Sequence, residues 1–337
     1  MKSPILSICI PTFNRNLHLD NCLNSIKIAS EHYSIDFEVC VSDNYSSENP
    51  IEIIEKYKNF FKINFNQNKS NEGLGANILK SVDLASGEFV WIIGNDDLLL
   101  PKTFKKLELF LNKKEINFFL INSFHLNVDH ILQSPHPFNT YNLPNKMNTF
   151  SSYKKDKRCK FFELINPLIS FDFMLGMFLS IFRRKIWVKN LNTINQNNLY
   201  DLNTYSNFDN TAPHVKIFSS GFLNKNAYFV SEGLSVNLSG VREWSAYYPF
   251  VESFRIPEVL MYYKKNGLSL LRYFYCMSFA NRKFIINLCK ILFIKKYKGK
   301  SYLNFTKDIL PKFFYLSSYA GFLFNCFRKL FKIVFLR

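Results

Sequence analysis

The stretch "EFVWIIGNDDLLLP", residues 88–101, decides how this chain of 337 residues folds. It begins as a continuous apolar run, which is typical of a strand buried on both faces of a parallel sheet. Two adjacent carboxylates, Asp96 and Asp97, follow this run directly. Like charges at the end of a buried strand are costly unless a ligand or cation compensates them. The stretch therefore predicts a buried strand and a binding site just beyond its end.

The first 122 residues alternate strand-like and helix-like segments. Helical spacing of apolar residues separates the strand candidates, which are "ILSICIP" (5–11), "FEVCVSD" (37–43), "KINFNQN" (62–68), "EFVWIIG" (88–94) and "INFFLIN" (116–122). This alternation predicts an α/β fold, a Rossmann-like and mostly parallel mixed sheet flanked by helices. Ligands bind such sheets beyond the carboxyl ends of the strands.

Polar residues follow several of these strands at the predicted ligand-binding edge. Residues 11–15, "PTFNR", end the first strand, and Asp43 ends the second. The loop "NKSNEGLGAN" (68–77) precedes a helix, and Gly73 and Gly75 allow its backbone to approach a ligand closely. Polar groups from four separate segments are thus predicted to converge on one edge.

The positive charge of the chain is concentrated in its tail. Residues 268–337 contain 14 Lys and Arg and one acid, whereas residues 1–267 contain 29 Lys and Arg and 25 acids. The tail's longest charge-free run, 313–327, has 15 residues and is shorter than the ~20 needed to span a bilayer. We expect basic amphipathic helices that lie on an anionic membrane. The alternative is a helical subdomain that packs on the core and exposes a solvated basic face.

Cysteine usage and the first residues predict a cytoplasmic location. The seven cysteines form no CxxC pair, and Cys9 and Cys40 lie within apolar strand candidates. This pattern indicates buried thiols in a reducing compartment. The N-terminal "MKSP" leads directly into "ILSICIP", which is too short for a secretory signal.

The acid pair has three possible roles. The carboxylates could cap the helix after Pro101, act as a general acid and base, or bind a hard divalent cation. Capping needs only one of them, and a glycosidase-type acid pair comes from two separate elements. A divalent cation shared with a diphosphate fits best, because Mg²⁺ or Mn²⁺ takes one or two carboxylates and fills its other positions with phosphate and water oxygens.

Four segments, in this order and at this spacing, resemble a known family. "ILSICIPTFNR", "FEVCVSDNYSSE", "NEGLGANI" and "ASGEFVWIIGNDDLLLP" are similar to the donor-binding half of a family 2 glycosyltransferase with the GT-A fold, and more closely to bacterial O-antigen transferases of the abequosyltransferase kind. The resemblance implies a donor-binding half at 1–122, an acceptor-binding half of the same domain at 123–267, and a membrane-associated tail at 268–337.

The resemblance also implies roles for individual residues. Asp97 would be the direct metal ligand, with Asp96 near the ribose and a metal-bound water, and Asp43 would accept a hydrogen bond from the nucleobase. The family's motif often has Asp where this chain has Asn95. Residues expected to contact the nucleotide are Pro11, Thr12, Asn14, Arg15, Asp43, Asn71, Gly73, Asn77 and Asp96.

The expected reaction is an inverting sugar transfer that needs a general base. His214 in "APHVKIF" matches a position in the resembling O-antigen transferases, and Asp209 is the rival base. His214 could instead complete the metal shell, or could be an ordinary residue at a helix start. Pro213 is predicted to begin that helix, with Asn210 or Thr211 as its cap. Asp172 and Glu232 are weaker base candidates, because no motif surrounds them.

We therefore expect a metal-dependent transferase that moves a sugar from a nucleoside-diphosphate donor to a polyprenyl-linked glycan, peripheral on the inner face of a bacterial cell membrane. The second hypothesis is a non-catalytic membrane- or RNA-binding protein on a degenerate transferase scaffold. The tail's basic residues lie among Phe, Leu and Ile, which argues against a nucleic-acid partner. A dinucleotide-dependent oxidoreductase is disfavoured because no GxGxxG follows the first strand.

Overall fold

A ten-stranded mixed sheet organises the first part of the chain. The computed structural model describes residues 3–33, 35–240 and 243–324. Eight strands lie in the order β3-β2-β1-β4-β9-β6-β10-β5, with β7 beside β6 and β8 beside β10. The strands are β1 (Leu6–Thr12), β2 (Phe37–Asp43), β3 (Lys62–Gln67), β4 (Phe89–Ile92), β5 (Asp97–Leu99), β6 (Phe118–Asn127), β7 (Asn148–Thr149), β8 (Lys157–Lys160), β9 (Ser180–Arg183) and β10 (Asn226–Ser239).

Strands β1 to β4 form the parallel part of the sheet, as the sequence predicts. β1 pairs with β2 from Leu6 opposite Phe37 to Thr12 opposite Asp43, and with β4 on its other side. All residues of β1 and β4 are buried, because helices cover both faces of this region. The carboxyl ends of these four strands consequently point to one edge.

The rest of the sheet is mixed. β9 runs antiparallel between β4 and β6, and β10 runs parallel to β6 and antiparallel to β5. Residues 169–187 have strand-like apolar composition, but only Ser180–Arg183 form a strand. The preceding residues form turns instead, since Asp172 accepts hydrogen bonds from the N–H groups of Met174 and Gly176.

The described ranges contain thirteen α-helices, of which α1 to α9 belong to the sheet-bearing part of the chain and flank the sheet. They are α1 (Asn16–Ser30), α2 (Ile51–Lys58), α3 (Leu74–Asp83), α4 (Thr103–Leu111), α5 (Asp129–Leu132), α6 (Phe161–Leu164), α7 (Arg184–Lys189), α8 (Gln196–Leu199), α9 (Pro213–Gly221), α10 (Tyr248–Phe250), α11 (Ile256–Lys265), α12 (Leu270–Asn281) and α13 (Phe284–Phe293). On one face, Leu23 of α1 and Leu107 of α4 share a core with Ile8 of β1. Elsewhere Phe218 of α9 meets Phe118 of β6 and Phe182 of β9 edge to face.

Helix α9 begins at Pro213, as the sequence predicts, but the predicted cap is wrong. Ala212 occupies the cap position, and no side chain caps the helix. The Thr211 hydroxyl instead donates to Oδ1 of Asn210, at 2.6 Å, and accepts from the Tyr205 N–H. These two side chains therefore stabilise the loop before the helix, while Pro213 needs no N–H partner at the first helical position.

The chain divides into two compact units. The first contains residues 1–164 and 168–242, and the second contains residues 165–167 and 243–337. The division thus precedes the predicted start of the tail at residue 268, because α11 packs against α12 within the second unit. None of the helices in the described ranges combines the length and the apolar character that crossing a bilayer requires.

The second unit differs from the expected basic amphipathic helices in one respect. The outward face of α12 is apolar rather than basic, with Leu271 86% exposed and Phe274 and Tyr275 each about half exposed. Its inward face buries Tyr273, Cys276 and other side chains of the same unit. Contiguous exposed apolar side chains of this size indicate a surface that contacts something other than water.

Candidate active site

Asn77 joins the carboxyl ends of β1 and β2 to the loop that precedes α3. Its amide nitrogen donates to the carbonyl of Thr12, at 3.2 Å, and to that of Ser42, at 3.0 Å. Its oxygen accepts from the Ser42 hydroxyl and from the Asn68 amide. The side chain is only 2% exposed. The structure therefore places Asn77 beneath the predicted nucleoside pocket, as a cross-link between elements.

The ends of β1 and β2 are fastened by a turn over residues 43–47. Asp43 is fully buried and accepts from the Ser46 N–H and hydroxyl and from the Gln67 amide. These donors use three of about four acceptor positions on the carboxylate. Asn14, with a φ of 51°, accepts from the Ser47 N–H at 2.7 Å. These contacts thus hold the Asp43 carboxylate between the ends of β2 and β3.

A network of side-chain amides shapes the loop over residues 68–77. Asn44 donates to Oδ1 of Asn71 at 2.8 Å, and its own oxygen accepts from the Asn68 amide and the Glu72 N–H. Gly73 has a φ of 87°, which favours glycine, and the Oδ1 of Asn71 accepts its N–H. The network brings Asn71 and Gly73 beside the end of β2, as the sequence predicts.

The same loop lies against the segment that precedes α9. The Gly75 N–H donates to the carbonyl of Asn210 at 2.7 Å. A Cβ on Gly75 would lie only 2.2 Å from the carbonyl oxygen of Asp209, so no other residue fits without a backbone shift. The 209–210 segment therefore lies beside the predicted donor loop.

Asp97 is held by two groups that are far apart in the sequence. Its Oδ2 accepts from the Gly94 N–H at 2.7 Å, and its Oδ1 accepts from the Asn237 amide at 2.6 Å. Asn237 lies directly opposite Asp97 where β10 pairs with β5. Asp97 is 1% exposed, so these two contacts fix its carboxylate inside the edge.

Asp96 lies beside Arg15 and His18. A distance of 3.6 Å separates Oδ2 of Asp96 from the Arg15 guanidinium. Burial lowers the pKa of His18, and the nearby Asp96 acts in the opposite direction. Nδ1 of His18 is buried and has no hydrogen-bond partner among the described residues. Both charge signs thus meet at the edge where a diphosphate is expected.

Two further residues complete the edge. The Asn95 amide donates to the Thr12 hydroxyl at 2.7 Å, so the residue that departs from the family motif links β4 to β1. Pro11 lies opposite Ser42 in the pairing of β1 with β2. A Cβ on Gly94 would lie 2.5 Å from Oδ1 of Asp96, so glycine is required where the acid pair folds back.

The acid pair fits a divalent cation that shares its ligands with a diphosphate. Within the described ranges, no three His, Cys, Asp or Glu side chains converge as a metal-binding group. The protein would therefore supply the carboxylates of Asp97 and Asp96, and phosphate and water oxygens would supply the rest. Mg²⁺ and Mn²⁺ bind in this way.

His214 is buried rather than open to a substrate. The side chain is 2% exposed, and its Nε2 lies 2.9 Å from the carbonyl of Leu175. Burial lowers the pKa of His214 to about 4. Nδ1 is buried and has no hydrogen-bond partner among the described residues. The imidazole is therefore neutral at neutral pH, with Nε2 as the donor.

Asp209, the other candidate base, is buried in an ion pair. Its Oδ2 lies 2.6 Å from the Lys216 ammonium, and its Oδ1 accepts from the Asn195 N–H at 3.1 Å. Asp209 is 1% exposed and Lys216 is the more exposed partner. Unlike His214, Asp209 belongs to the segment that touches Gly75.

The two weaker candidates also have internal partners. Asp172 accepts from the Ser170 hydroxyl and the Gly176 N–H, and burial raises its pKa. Glu232 forms ion pairs with Lys102 and Lys106. Both side chains thus have structural roles in their own segments.

Sequence reasoning missed several residues of this edge. Asn237 is 140 positions from Asp97, and only the register of β10 with β5 brings them together. Asn44 and Asn68 follow strands directly and lie in segments grouped at this edge from the sequence, but no role was assigned to them. No comparable signal marks His18, which lies in the first turn of α1.

The sheet order and a family match together define the class of protein, a glycosyltransferase with a GT-A fold. Residues 7–184, just over half of the chain, match the profile of Glycosyl transferase family 2, and the chain belongs to this family. The family and fold predicted from the sequence are thereby confirmed.

Curated relatives match about a third of the chain. The abequosyltransferase RfbV of Salmonella typhimurium is 38% identical over 112 residues, which are 33% of each chain. A GalNAc(5)-diNAcBac-PP-undecaprenol beta-1,3-glucosyltransferase of Campylobacter jejuni is 36% identical over 100 residues, 29% of this chain and 31% of the relative. The matched segments thus span about a third of the length of these relatives.

Solved structures share the fold over most of the chain. TarS 1–349 of S. aureus in complex with UDP-GlcNAc has a TM-score of 0.57 at 20% identity, covering 83% of this chain and 73% of TarS. The same protein with UDP has a TM-score of 0.56 at 18% identity, covering 83% and 72%. At this identity the likeness is one of fold.

Proposed function

We propose that this protein transfers a sugar, with inversion, from a nucleoside-diphosphate donor to a lipid-linked glycan in the synthesis of a bacterial surface polysaccharide. The observation that carries the proposal is the acid-pair edge. Asp96 lies beside Arg15, and Asp97 follows it, beyond the carboxyl end of β4 on a family 2 scaffold. The loop that holds Asn71 and Gly73 is fastened to the same edge.

The donor would bind through groups that are already in position. Arg15 is a cation 22% exposed in its side chain, suited to diphosphate oxygens. Asp97 and Asp96 would hold a divalent cation against the same oxygens, and that cation would supply Lewis-acid stabilisation of the leaving diphosphate. Asp43 would accept from the nucleobase, and Pro11, Thr12, Asn14 and Asn77 would keep the pocket floor in shape.

Transfer breaks the bond between the anomeric carbon and the diphosphate oxygen. An acceptor hydroxyl would attack that carbon from the opposite side, so the configuration inverts and the hydroxyl proton passes to a general base. Between the two candidates, chain position favours Asp209, because its backbone carbonyl lies against Gly75 of the predicted donor loop. Its carboxylate pairs with Lys216, so Oδ2 would take the proton in place of that ion pair.

Substitution of each candidate distinguishes the two bases. Asp209→Asn is expected to lower kcat by about 10²- to 10⁴-fold with donor affinity retained, because the proton acceptor is lost. His214→Gln preserves a donor to the carbonyl of Leu175 and should retain kcat. The reverse pattern would assign the base to His214.

The first test is a screen for a donor. Release of nucleoside diphosphate is measured from a panel of nucleotide sugars with Mn²⁺ or Mg²⁺, using a synthetic polyprenyl-diphosphate glycan as acceptor. Asp97→Asn preserves shape and should reduce metal-dependent transfer by at least about 100-fold. Asp36→Asn, at an exposed carboxylate just before β2, is the matched control. Full activity of Asp97→Asn would contradict the proposed metal site.

The acceptor and the location belong to the same proposal. The Campylobacter relative is named for an undecaprenol diphosphate acceptor, which supports a polyprenyl-linked glycan here. The exposed apolar side chains and lysines of the second unit support attachment to an anionic membrane surface, on its cytoplasmic face. If no nucleotide sugar is consumed but vesicles are bound, the non-catalytic membrane-binding hypothesis replaces the transferase.

A further inference from the structure

An open cavity in the second unit lies over a lysine-rich turn. Its volume is about 640 Å³, and it is lined by Tyr247, Lys298, Gly299, Lys300 and Ser301. All of these residues belong to the second unit, whereas the acid pair belongs to the first. The residues that line the cavity and those of the proposed donor site therefore belong to different units.

The turn that forms this cavity is fixed by its own contacts. Gly299 has a φ of 103°, and a Cβ at this position would lie 2.6 Å from the Phe250 ring. The Lys298 N–H donates to the carbonyl of Ala246 at 2.9 Å, which attaches the turn to the preceding helical segment. Tyr247 and Tyr302 stack with their planes 9° apart. The two lysines are thus presented from a preformed turn on either side of a glycine that cannot be replaced without strain.

The electrostatics of the turn favour an anion. Residues 290–300 contain five lysines and no acid. Within the described parts of the chain, none of these lysines takes part in an ion pair; Lys296 and Lys298 instead lie over the rings of Tyr297 and Tyr247. Cations gathered without acidic partners repel one another until an external anion compensates them. Phosphate oxygens are suited to ammonium groups and to the exposed hydroxyl of Ser301.

Apolar side chains lie immediately before the lysines. Phe293 is 80% exposed and Ile294 is 44% exposed, at the end of α13. Lys295 and Lys296 follow them and are exposed as well. A soluble phosphate would not contact these apolar side chains. A bilayer would contact both the apolar side chains and the lysines, because its interface places hydrocarbon and phosphate within the length of one short segment.

We propose that the 293–301 segment docks on an anionic bilayer, with a phospholipid phosphate in the Lys298–Lys300 cavity and Phe293 and Ile294 among the acyl chains. This inference rests on the proposed membrane association and names the surface that produces it.

The test is co-sedimentation of the full chain with vesicles of phosphatidylcholine alone or mixed with phosphatidylglycerol. Lys298→Gln combined with Lys300→Gln should weaken binding to the mixed vesicles by about 30-fold, at about 1 kcal/mol for each lysine at the surface. Lys105→Gln combined with Lys155→Gln removes the same charge from exposed positions of the first unit and should change binding little. Phe293→Ser should weaken binding without any change of charge.

Each outcome supports or contradicts the proposed docking surface. Equal losses from the two lysine pairs would indicate general charge attraction and overturn the proposal. Unchanged binding of the cavity variant would place the membrane contact elsewhere in the chain and leave the proposed membrane association intact. Absence of binding by the wild-type chain would refute the association itself. Calorimetric binding of inorganic phosphate to the cavity, without vesicle binding, would assign it to a soluble anion instead.

Discussion

Asp97 shows how far a single carboxylate depends on groups outside its own motif. The Gly94 N–H and the Asn237 amide hold one carboxylate oxygen each, so the side chain has one orientation before any ligand arrives. Such supporting hydrogen bonds typically change metal affinity by 10- to 100-fold when they are lost. Asn237 is thus a positioning residue for the proposed cation.

We predict that Asn237→Ala lowers the affinity for Mn²⁺ in the presence of nucleoside diphosphate by about 10- to 100-fold. The carboxylate remains, so activity should recover at high Mn²⁺ concentration, unlike that of Asp97→Asn. Calorimetric titration measures the affinity directly. Ser239→Ala, at the exposed end of the same strand, should leave it unchanged. Equal Mn²⁺ affinities for the wild type and Asn237→Ala would show that the hydrogen bond from Asn237 to Asp97 does not support cation binding.

His214 supplies a pH-dependent prediction. Burial lowers its pKa from 6.5 to about 4, so the folded chain binds fewer protons at this site than the unfolded chain. The contribution to stability is complete above pH 6.5 and is lost as the pH falls toward 4. Between pH 7.5 and pH 5 the wild type should therefore lose about 2 kcal/mol at this residue.

Urea unfolding of His214→Gln at both pH values measures this contribution. The variant cannot titrate, so its stability should fall by about 2 kcal/mol less than that of the wild type over the same interval. His32→Gln, at an exposed histidine, is the matched control and should follow the wild type. Parallel pH curves for His214→Gln and wild type would show that the imidazole is not buried as described.

At the scale of elements, apolar patterning predicted β1, β2 and β4 because each is surrounded by the core. "ILSICIP" and "EFVWIIG" read as buried strands and form β1 and β4. The segment before β9 has the same composition but forms turns, with Phe173 and Met174 at φ values of 53° and 65°. Hydrogen bonds to Asp172 hold these turns, and an apolar run cannot reveal where such bonds will form.

The site was predictable to the same extent, for the same reason. Strand ends point to one edge of a parallel sheet, so Thr12, Asp43 and the acid pair could be grouped from the sequence. The burial of individual side chains could not be predicted from the sequence. His214 and Asp209 were both candidates for the base, and the structure shows both side chains buried, each in contact with a polar partner. Which polar residues remain open depends on the loops over residues 190–212, whose path no local pattern indicates.

Glu38 links elements of the parallel sheet. The side chain is fully buried in β2 and accepts from Ser7 of β1, from Lys62 of β3 and from Ser86 before β4. Burial alone would raise the pKa of Glu38, but these hydrogen bonds outweigh it and lower the pKa from 4.5 to about 2. The ionised form therefore stabilises the sheet above pH 4.5, and this stabilisation is lost as the pH falls toward 2.

We predict that Glu38→Gln destabilises the chain by about 2 kcal/mol at pH 7, with the difference from wild type shrinking as the pH falls below 4.5. Thermal unfolding across this range gives the comparison. Glu31→Gln, at an exposed carboxylate after α1, should cost little at any pH. If Glu38→Gln were less stable than the wild type by the same amount at all pH values, the loss of stability would come from packing rather than from charge.

At the scale of the whole molecule, charge and chemistry are divided between two units. The acid pair, Arg15 and the amide network belong to the first unit, and the lysines of residues 290–300 belong to the second. The net charge of +17 is consequently a poor guide to what the donor site binds.

This division predicts that the two functions respond to different substitutions. Asp97→Asn should abolish transfer while leaving binding to phosphatidylglycerol vesicles unchanged. Lys298→Gln combined with Lys300→Gln should reduce vesicle binding and leave nucleoside-diphosphate affinity unchanged. Measuring both properties for both variants gives a four-way comparison. Loss of both properties in either variant would show that the units do not function separately.

The asparagine network around the donor loop has one more consequence. Asn44, Asn68, Asn71 and Asn77 fasten the strand ends without adding any charge. Charge enters this network through the buried Asp43 carboxylate and the Lys80–Glu72 ion pair. The neutral amides leave the rest of the local potential to Arg15, Asp96, Asp97 and the ions they bind. The attraction for a diphosphate can then be gained and lost with the cation, which favours release of the spent nucleotide after each turnover.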